Sequence, residues 1–287
     1  MALTCICGYG EYTETTSGGA VCGGAATITF NREYPSGGAV CAGSATITTN
    51  ILWDGYASVY HLIEEGDGTT GEYHESANSL DATGNNGTTA GTPTRGRGIF
   101  DYAQVCNGAQ YITCPQDSLS NQTDLTVSLW AKVTGNYLDR CFYSRGYTNV
   151  NEGEGCSVTI GHRLTNATEA TIRVQATADW TTYTLTGEAL TNGCWYHFAV
   201  VFASGSNAKF YINGELQDTE TVAETSLVPS TRGSFIGRRD NRNYTEGYIQ
   251  EVRTAAIARD ADWLETEYMN LCDSDFITVG EVETYGA

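Results

Sequence analysis

Lysine is nearly missing from this sequence: Lys132 and Lys209 stand alone, and the rest of its 15 cations are arginines. Against them are 34 carboxylates, giving a formal net charge of −19 over 287 residues. A chain that neutralises a phosphate backbone needs clustered cations, so the balance excludes nucleic acid as a partner. Charge of either sign is scarce, at 17% of residues, and polarity comes instead from Thr, Ser, Asn and Gly. Proline is down to 4 residues against 33 glycines, which speaks for many tight turns rather than a Pro-rich disordered segment. No stretch approaches the ~18 consecutive apolar residues of a membrane span; the run from Phe198 to Ala203 is strand-sized. The opening residues, Met1-Ala2-Leu3-Thr4-Cys5-Ile6-Cys7-Gly8, have no basic segment and no long apolar one, so no signal peptide is detected.

Cysteine, by contrast, is abundant. Ten cysteines without Cys-x-x-Cys metal spacing point to disulfides and an oxidising destination; buried free thiols are the alternative if the chain stays reduced. A chain made without a signal that still ends up outside the cell fits a virion component, so the expected location is extracellular or on a virion surface.

A repeat dominates residues 1–50. Ser17 to Thr29 reads SGGAVCGGAATIT and Ser36 to Thr48 reads SGGAVCAGSATIT. Gly-rich turns alternating with Ala-Thr-Ile-Thr segments read as small β units that need a neighbour to stack on. Residues 1–50 are therefore expected to be a Gly/Cys-rich anchor that self-associates or joins a virion or filament partner. Cys22 and Cys41 hold the same repeat position, so parallel stacking would let them face each other or reach Cys5 and Cys7.

From residue 51 to 287 the texture changes to short alternating segments. In Leu125 to Val133, Val127, Leu129, Ala131 and Val133 share one face, while Ser128, Trp130 and Lys132 share the other. Trp130 then needs a cover, such as Trp53 or a facing sheet. Further strands are expected at Ala109–Cys114, Cys141–Ser144, Ser157–Gly161, Ala170–Ala176, Thr182–Thr186, Tyr196–Ala203, Ala208–Asn213, Gly233–Gly237 and Gly247–Arg253. One helix is expected, over Arg259–Asn270. The class is all-β: an antiparallel sandwich or jelly roll with one short C-terminal helix, preceded by a small Gly-rich β-repeat module.

Particular segments carry a family resemblance. They are Asp81-Ala-Thr-Gly-Asn-Asn-Gly-Thr, Leu125-Thr-Val-Ser-Leu-Trp-Ala-Lys-Val, Cys194-Trp-Tyr-His-Phe-Ala-Val-Val-Phe with Phe210-Tyr-Ile-Asn-Gly-Glu-Leu, and Gly247-Tyr-Ile-Gln-Glu-Val-Arg with Ala261-Asp-Trp-Leu-Glu-Thr-Glu-Tyr. In this order, residues from about 53 to 283 resemble the laminin G-like, concanavalin A-like lectin/glucanase jelly-roll domains, of the kind found in bacterial surface and phage proteins. Asn213-Gly214 independently marks a two-residue hairpin turn. The resemblance implies a structural Ca²⁺ held by Asp81, Asn85 and Glu251; the family's acidic pair is half kept here, as Gln250-Glu251. If the cysteines are oxidised, Cys106 with Cys114, Cys141 with Cys156, and Cys194 with Cys272 would close nested loops in the jelly roll, one of fifteen pairings open to six cysteines.

No catalytic pattern accompanies the resemblance. The related glucanases carry alternating carboxylates on one strand face; Glu152 with Glu154 has that parity but lies in a loop-like stretch, and Glu281 with Glu283 sits in the tail. His-Glu-x-x-His, Gly-x-Ser-x-Gly and the phosphate loop do not occur, and His197 reads as a hydrogen-bonded structural residue. Sugar binding needs flat aromatic faces flanked by amides and charges. Two clusters have that composition: Trp180 with Tyr183, and Arg238, Asp240, Asn241, Asn243 and Tyr244. Each reads equally well as a soluble rim with satellite aromatics. The expectation is a non-enzymatic adhesion protein with a lectin-like jelly roll, for glycans or cell-surface polysaccharide, as a virion decoration or fibre component. The rivals are a filament or sheath subunit that binds no sugar and a degenerate glycoside hydrolase.

Overall fold

In the computed structural model the described residues are 3–5, 20–23, 26–29, 40–42, 45–48, 55–65, 72–77, 82–86, 93–115, 123–134, 140–145, 157–162, 167–175, 180–227, 233–239 and 243–272. The chain divides into two compact units, Met1–Asp54 and Gly55–Ala287.

The first unit has five short strands: β1 (Leu3–Cys5), β2 (Ala20–Gly23), β3 (Ala26–Thr29), β4 (Val40–Ala42) and β5 (Ala45–Thr48). All pairing among them is parallel. β1, β2 and β4 form one sheet, and β3 and β5 form another. Ala26–Thr29 meets Ala45–Thr48 with identical residues opposite each other, since equal positions of the repeat stack at equal height. The structure adds a rung that the repeat does not show, because Leu3–Cys5 pairs with Ala20–Cys22.

The second unit begins with β6 (Tyr56–Tyr60), β7 (Glu72–Tyr73), β8 (Ala82–Asn86), β9 (Thr94–Arg97), β10 (Tyr102–Asn107) and β11 (Gln110–Thr113). It continues through β12 (Asp124–Val133), β13 (Arg140–Arg145), β14 (Val158–His162), β15 (Ala167–Gln175) and β16 (Trp180–Ala189). β17 (Trp195–Ala203), β18 (Asn207–Ile212), β19 (Glu215–Thr221), β20 (Ser234–Ile236), β21 (Glu246–Ala255) and the helix α1 (Ala261–Cys272) complete it. Two antiparallel sheets result. The first runs β19-β18-β17-β12-β21-β10-β9 with β6 also on β21, and the second runs β16-β15-β14-β13-β20-β11-β8-β7.

Strand alternation decides what fills the space between them. Val127, Leu129, Ala131 and Val133 of β12, Phe198, Val200 and Phe202 of β17, and Phe210 and Ile212 of β18 enter one core from the first sheet. Ile112, Phe142, Ile160, Ile172, Leu185 and Ile236 enter it from the second. Phe142 stacks on Phe198 across the layers at 5.3 Å; each such side chain contributes about 1.5–3 kcal/mol on burial. The register of β17 puts Phe198 inside and sends His197 to the outer face beside Trp130.

That outer face is covered by α1 rather than by the facing sheet. Asp260 caps the helix, its Oδ1 accepting the Trp263 N–H at 2.8 Å. Leu264 packs on Ala199, Val201 and Tyr211, and Tyr268 stacks on Trp130 at 5.7 Å. Among the described residues no helix is long and apolar enough to cross a membrane.

Two local devices shape the first sheet. Asn213 and Gly214, with φ of 52° and 80°, make the hairpin from β18 to β19, as their dipeptide signals. β21 changes partners midway: Glu246–Ile249 pairs with β10, and Val252–Ala255 pairs with β6. The change falls at a bulge opposite β12, between Ser128 and Trp130, where Glu251 takes φ of 53°. Gln250 closes the resulting gap, accepting from the Ile99 N–H at 2.9 Å and donating to the Phe100 carbonyl at 2.8 Å.

Gly247, at the start of β21, has φ of 151°, and a Cβ there would lie 2.1 Å from the Lys132 carbonyl oxygen. Gly247→Ala is therefore expected to destabilise the fold by at least about 2 kcal/mol in urea unfolding. Leu216→Ala, on the exposed edge strand β19, should stay within about 0.5 kcal/mol of wild type. Equal midpoints for the two variants would contradict the strand placement.

Candidate functional site

The strongest constellation on the second sheet lies away from the core. Tyr111 alternates with the inward Gln110 and Ile112, and Phe235 with the inward Ser234 and Ile236. Adjacent antiparallel pairing of β11 and β20 brings the two rings together edge to face at 6.0 Å. The Arg238 guanidinium lies over both, 3.6 Å from the Tyr111 ring centre and 4.1 Å from that of Phe235. Tyr244 adds a third ring at 6.0 Å from Tyr111. The three rings are half-buried, with Arg238 9% exposed.

The loop carrying Arg238 and Tyr244 is pinned from several sides. Ser144 Oγ donates to the Arg238 carbonyl at 2.9 Å. Arg140 donates to the Tyr244 carbonyl at 2.9 Å and to Glu246 at 2.7 Å. The Cys141 N–H donates to the Asn243 carbonyl at 2.9 Å, and Thr245 Oγ1 to the Cys141 carbonyl at 2.8 Å. Asn243 bends the chain at φ of 57°. Tyr111 and Phe235 escaped the sequence reading; their signal is a single aromatic at the outward parity of an otherwise polar-faced strand.

Arg238 and Tyr244 thus both lie against Tyr111, with Asn243 preceding Tyr244 in the chain, while Asp240 and Asn241 lie outside the described residues. Trp180 and Tyr183 both belong to β16, where Trp180 pairs with Gln175 and Tyr183 with Ile172. Tyr183 packs against the core and donates its hydroxyl to Glu224 at 2.9 Å.

The expected Ca²⁺ ligands also separate. Asp81 lies outside the described residues. Asn85 sits in the second sheet in register with Tyr111, whereas Glu251 belongs to the first. Glu251 does not fit a metal, because both its oxygens are engaged: Oε1 with His61 Nδ1 at 2.6 Å, and Oε2 with Arg253 at 2.5 and 3.1 Å. Burial opposes its charge, but the bonds from His61 and Arg253 hold its carboxyl below the usual range. Among the described residues no group of three metal-ligating side chains occurs.

Arg253 continues the network. Its NH1 donates to Glu267 Oε1 at 2.8 Å, which also accepts from Ser128 Oγ at 2.9 Å. Burial opposes the guanidinium's charge, and Glu267 and Glu251 overcome it, so its pKa is raised. His197 stands 3.9 Å from Glu267 Oε2, with Nδ1 lacking a hydrogen-bond partner among the described residues. It is structural, but through its ring: burial pushes its pKa down to about 4, and Trp130 lies 5.2 Å away.

None of the described jelly-roll cysteines is in a disulfide: Cys106, Cys114 and Cys141 are buried, Cys194 and Cys272 exposed. The bonds Cys106–Cys114 and Cys194–Cys272 are not formed here. Cys141 donates instead to the Tyr143 carbonyl at 3.1 Å, and its expected partner Cys156 lies outside the described residues. So do Glu152, Glu154, Glu281 and Glu283.

Residues 107–264 match the family model described as the concanavalin A-like lectin/glucanases superfamily. Solved structures agree in fold. The chain is similar to the binding domain of botulinum neurotoxin serotype G (14% identity, TM-score 0.53, covering 70% of this chain and 49% of that one). It is similar also to the serotype D ligand-binding domain in complex with N-acetylneuraminic acid (11%, 0.54, 76% and 51%). A third is domain 4 of AbnA, a GH43 extracellular arabinanase from Geobacillus stearothermophilus, in complex with arabinotriose (21%, 0.50, 70% and 98%). The chain spans about half the length of the two toxin domains. No curated protein matches it by sequence.

The buried His197 gives a test of this packing. Its pKa falls from an ordinary 6.5 to about 4, so the unfolded chain takes up a proton that the folded chain refuses. Stability is then complete above about pH 6.5 and declines towards pH 4, by about 3 kcal/mol at the bottom. Glu251, with its lowered pKa, adds a loss in the same direction as pH falls through the carboxylate range. Urea midpoints followed over this window should fall more steeply in wild type than in His197→Gln. Parallel slopes would contradict the assignment.

Proposed function

We propose that this chain, which belongs to the concanavalin A-like lectin/glucanases superfamily, is a non-catalytic surface protein that binds glycans or cell-surface polysaccharide. The single observation that carries the reading is the cluster of Tyr111, Phe235 and Tyr244 around the stacked Arg238. Aromatic rings offer flat apolar faces to the C–H side of a pyranose or furanose, and a guanidinium offers N–H donors to its hydroxyls. Stacking and the anchored loop hold these groups before any ligand arrives, which lowers the ordering cost of binding. Support also comes from two similar domains, whose structures contain N-acetylneuraminic acid and arabinotriose.

A non-catalytic role is supported by the carboxylates. The buried ones among the described residues are Glu75, Glu251 and Glu267, and each is committed to the fold. Glu75 accepts from the Val59 and Ala77 N–H groups at 2.6 and 2.7 Å, and Arg253 holds the other two.

Residues 1–54 serve as the attachment and assembly unit in this reading, placing the jelly roll on a virion as a decoration or fibre component. In-register parallel strands favour it, because such rungs stack on like rungs. The rival is a filament or sheath subunit that binds no sugar.

A glycan array finds the ligand, and isothermal titration with the best hit tests the site. Tyr111→Ala and Arg238→Ala are each expected to weaken binding about tenfold or more, equivalent to about 1.4 kcal/mol, while Tyr183→Phe leaves it unchanged. Binding untouched by both site variants, in folded protein, overturns the placement; an array with no hits favours the sugar-free rival. A chain lacking residues 1–54 should be monomeric in light scattering, and normal assembly would refute the anchor role.

A further inference from the structure

None of the described jelly-roll cysteines is joined in a disulfide. In the first unit, parallel pairing sets Cys5 opposite Cys22 and Cys22 opposite Cys41, so three rungs place three cysteines in one register column. Neighbouring strands lie about 4.7–4.9 Å apart, and bridged cysteines have Cα separations of about 4.4–6.8 Å. Each adjacent pair in the column is therefore within bridging distance. Cys5 and Cys41 are two rungs apart, about 9.5 Å, and out of reach of each other.

We propose that this column is a redox site in which Cys22 forms a disulfide with one of its two neighbours, Cys5 or Cys41. The oxidant is a small-molecule disulfide such as oxidised glutathione. One column thiolate attacks it, forming a mixed disulfide and releasing one glutathione thiolate; the neighbouring thiolate then displaces the second. In sum two cysteine thiols lose two electrons and two protons, one S–S bond forms, and one glutathione disulfide becomes two thiols. The third cysteine of the column keeps its thiol. The rungs are strands of only three or four residues, too short to bury much of a core, which is the setting where a cross-link contributes most.

The middle position makes the test asymmetric. The full-length chain is equilibrated in glutathione redox buffer, denatured, alkylated and mapped by mass spectrometry. Wild type is expected to carry one disulfide that includes Cys22. Cys5→Ser and Cys41→Ser should each keep one, through the remaining neighbour, while Cys22→Ser should lose it although Cys5 and Cys41 are still present. A bond that persists in Cys22→Ser, that maps to Cys7 or to a jelly-roll cysteine instead, or that never forms in wild type overturns the proposal.

Discussion

Arg253, clamped between Glu251 and Glu267, is the interaction on which the jelly roll most depends. It bonds directly to Glu251 at the bulge of β21 and to Glu267 of the helix α1, and Ser128 of β12 joins the set by sharing Glu267. His61, just after β6, completes the set on Glu251. Charges at this depth cost several kcal/mol each to desolvate, and only a full set of partners offsets that. The network is better read as fixing one arrangement of sheet and helix than as a source of net stability. It also explains the half-kept acidic pair: Gln250 and Glu251 close the seam where β21 exchanges β10 for β6, instead of offering oxygens to an ion.

The same strand organises the opposite side of the molecule. Gly247, the second residue of β21, alone allows the backbone to pass the Lys132 carbonyl. Immediately before it, Thr245 and Glu246 are bonded to Cys141 and Arg140 of β13. The β20–β21 connection therefore leaves the second sheet under constraint, and Arg238 and Tyr244 are carried to Tyr111 and Phe235. A structural strand in the first sheet thus sets the geometry of a site on the second. Mutations along β21 are expected to reach the site without touching it.

Much of this was legible in the sequence, and the reason is periodicity. β12, β17 and β18 alternate so strictly that their inward residues read off directly, and Asn213-Gly214 announced its turn. What lacked a period was missed. β19, with Glu215, Asp218 and Glu220, is an edge strand placed by that turn and by pairing to β18, with little apolar face of its own. The cover over Trp130 was unreadable because Tyr268 comes from a helix more than a hundred residues away. Composition singled out Arg238 and Tyr244, but the rings beside them, Tyr111 and Phe235, come from two other strands and required the topology.

Hydrogen–deuterium exchange with and without a saturating oligosaccharide locates the proposed glycan site on the outer face of the second sheet, where β11, β20 and the residues leading into β21 meet. Exchange is expected to slow in residues 109–113, 233–239 and 243–247, and not across Trp180–Ala189. Protection confined to Trp180–Ala189, or no change at the junction while the saccharide is bound, would contradict the placement.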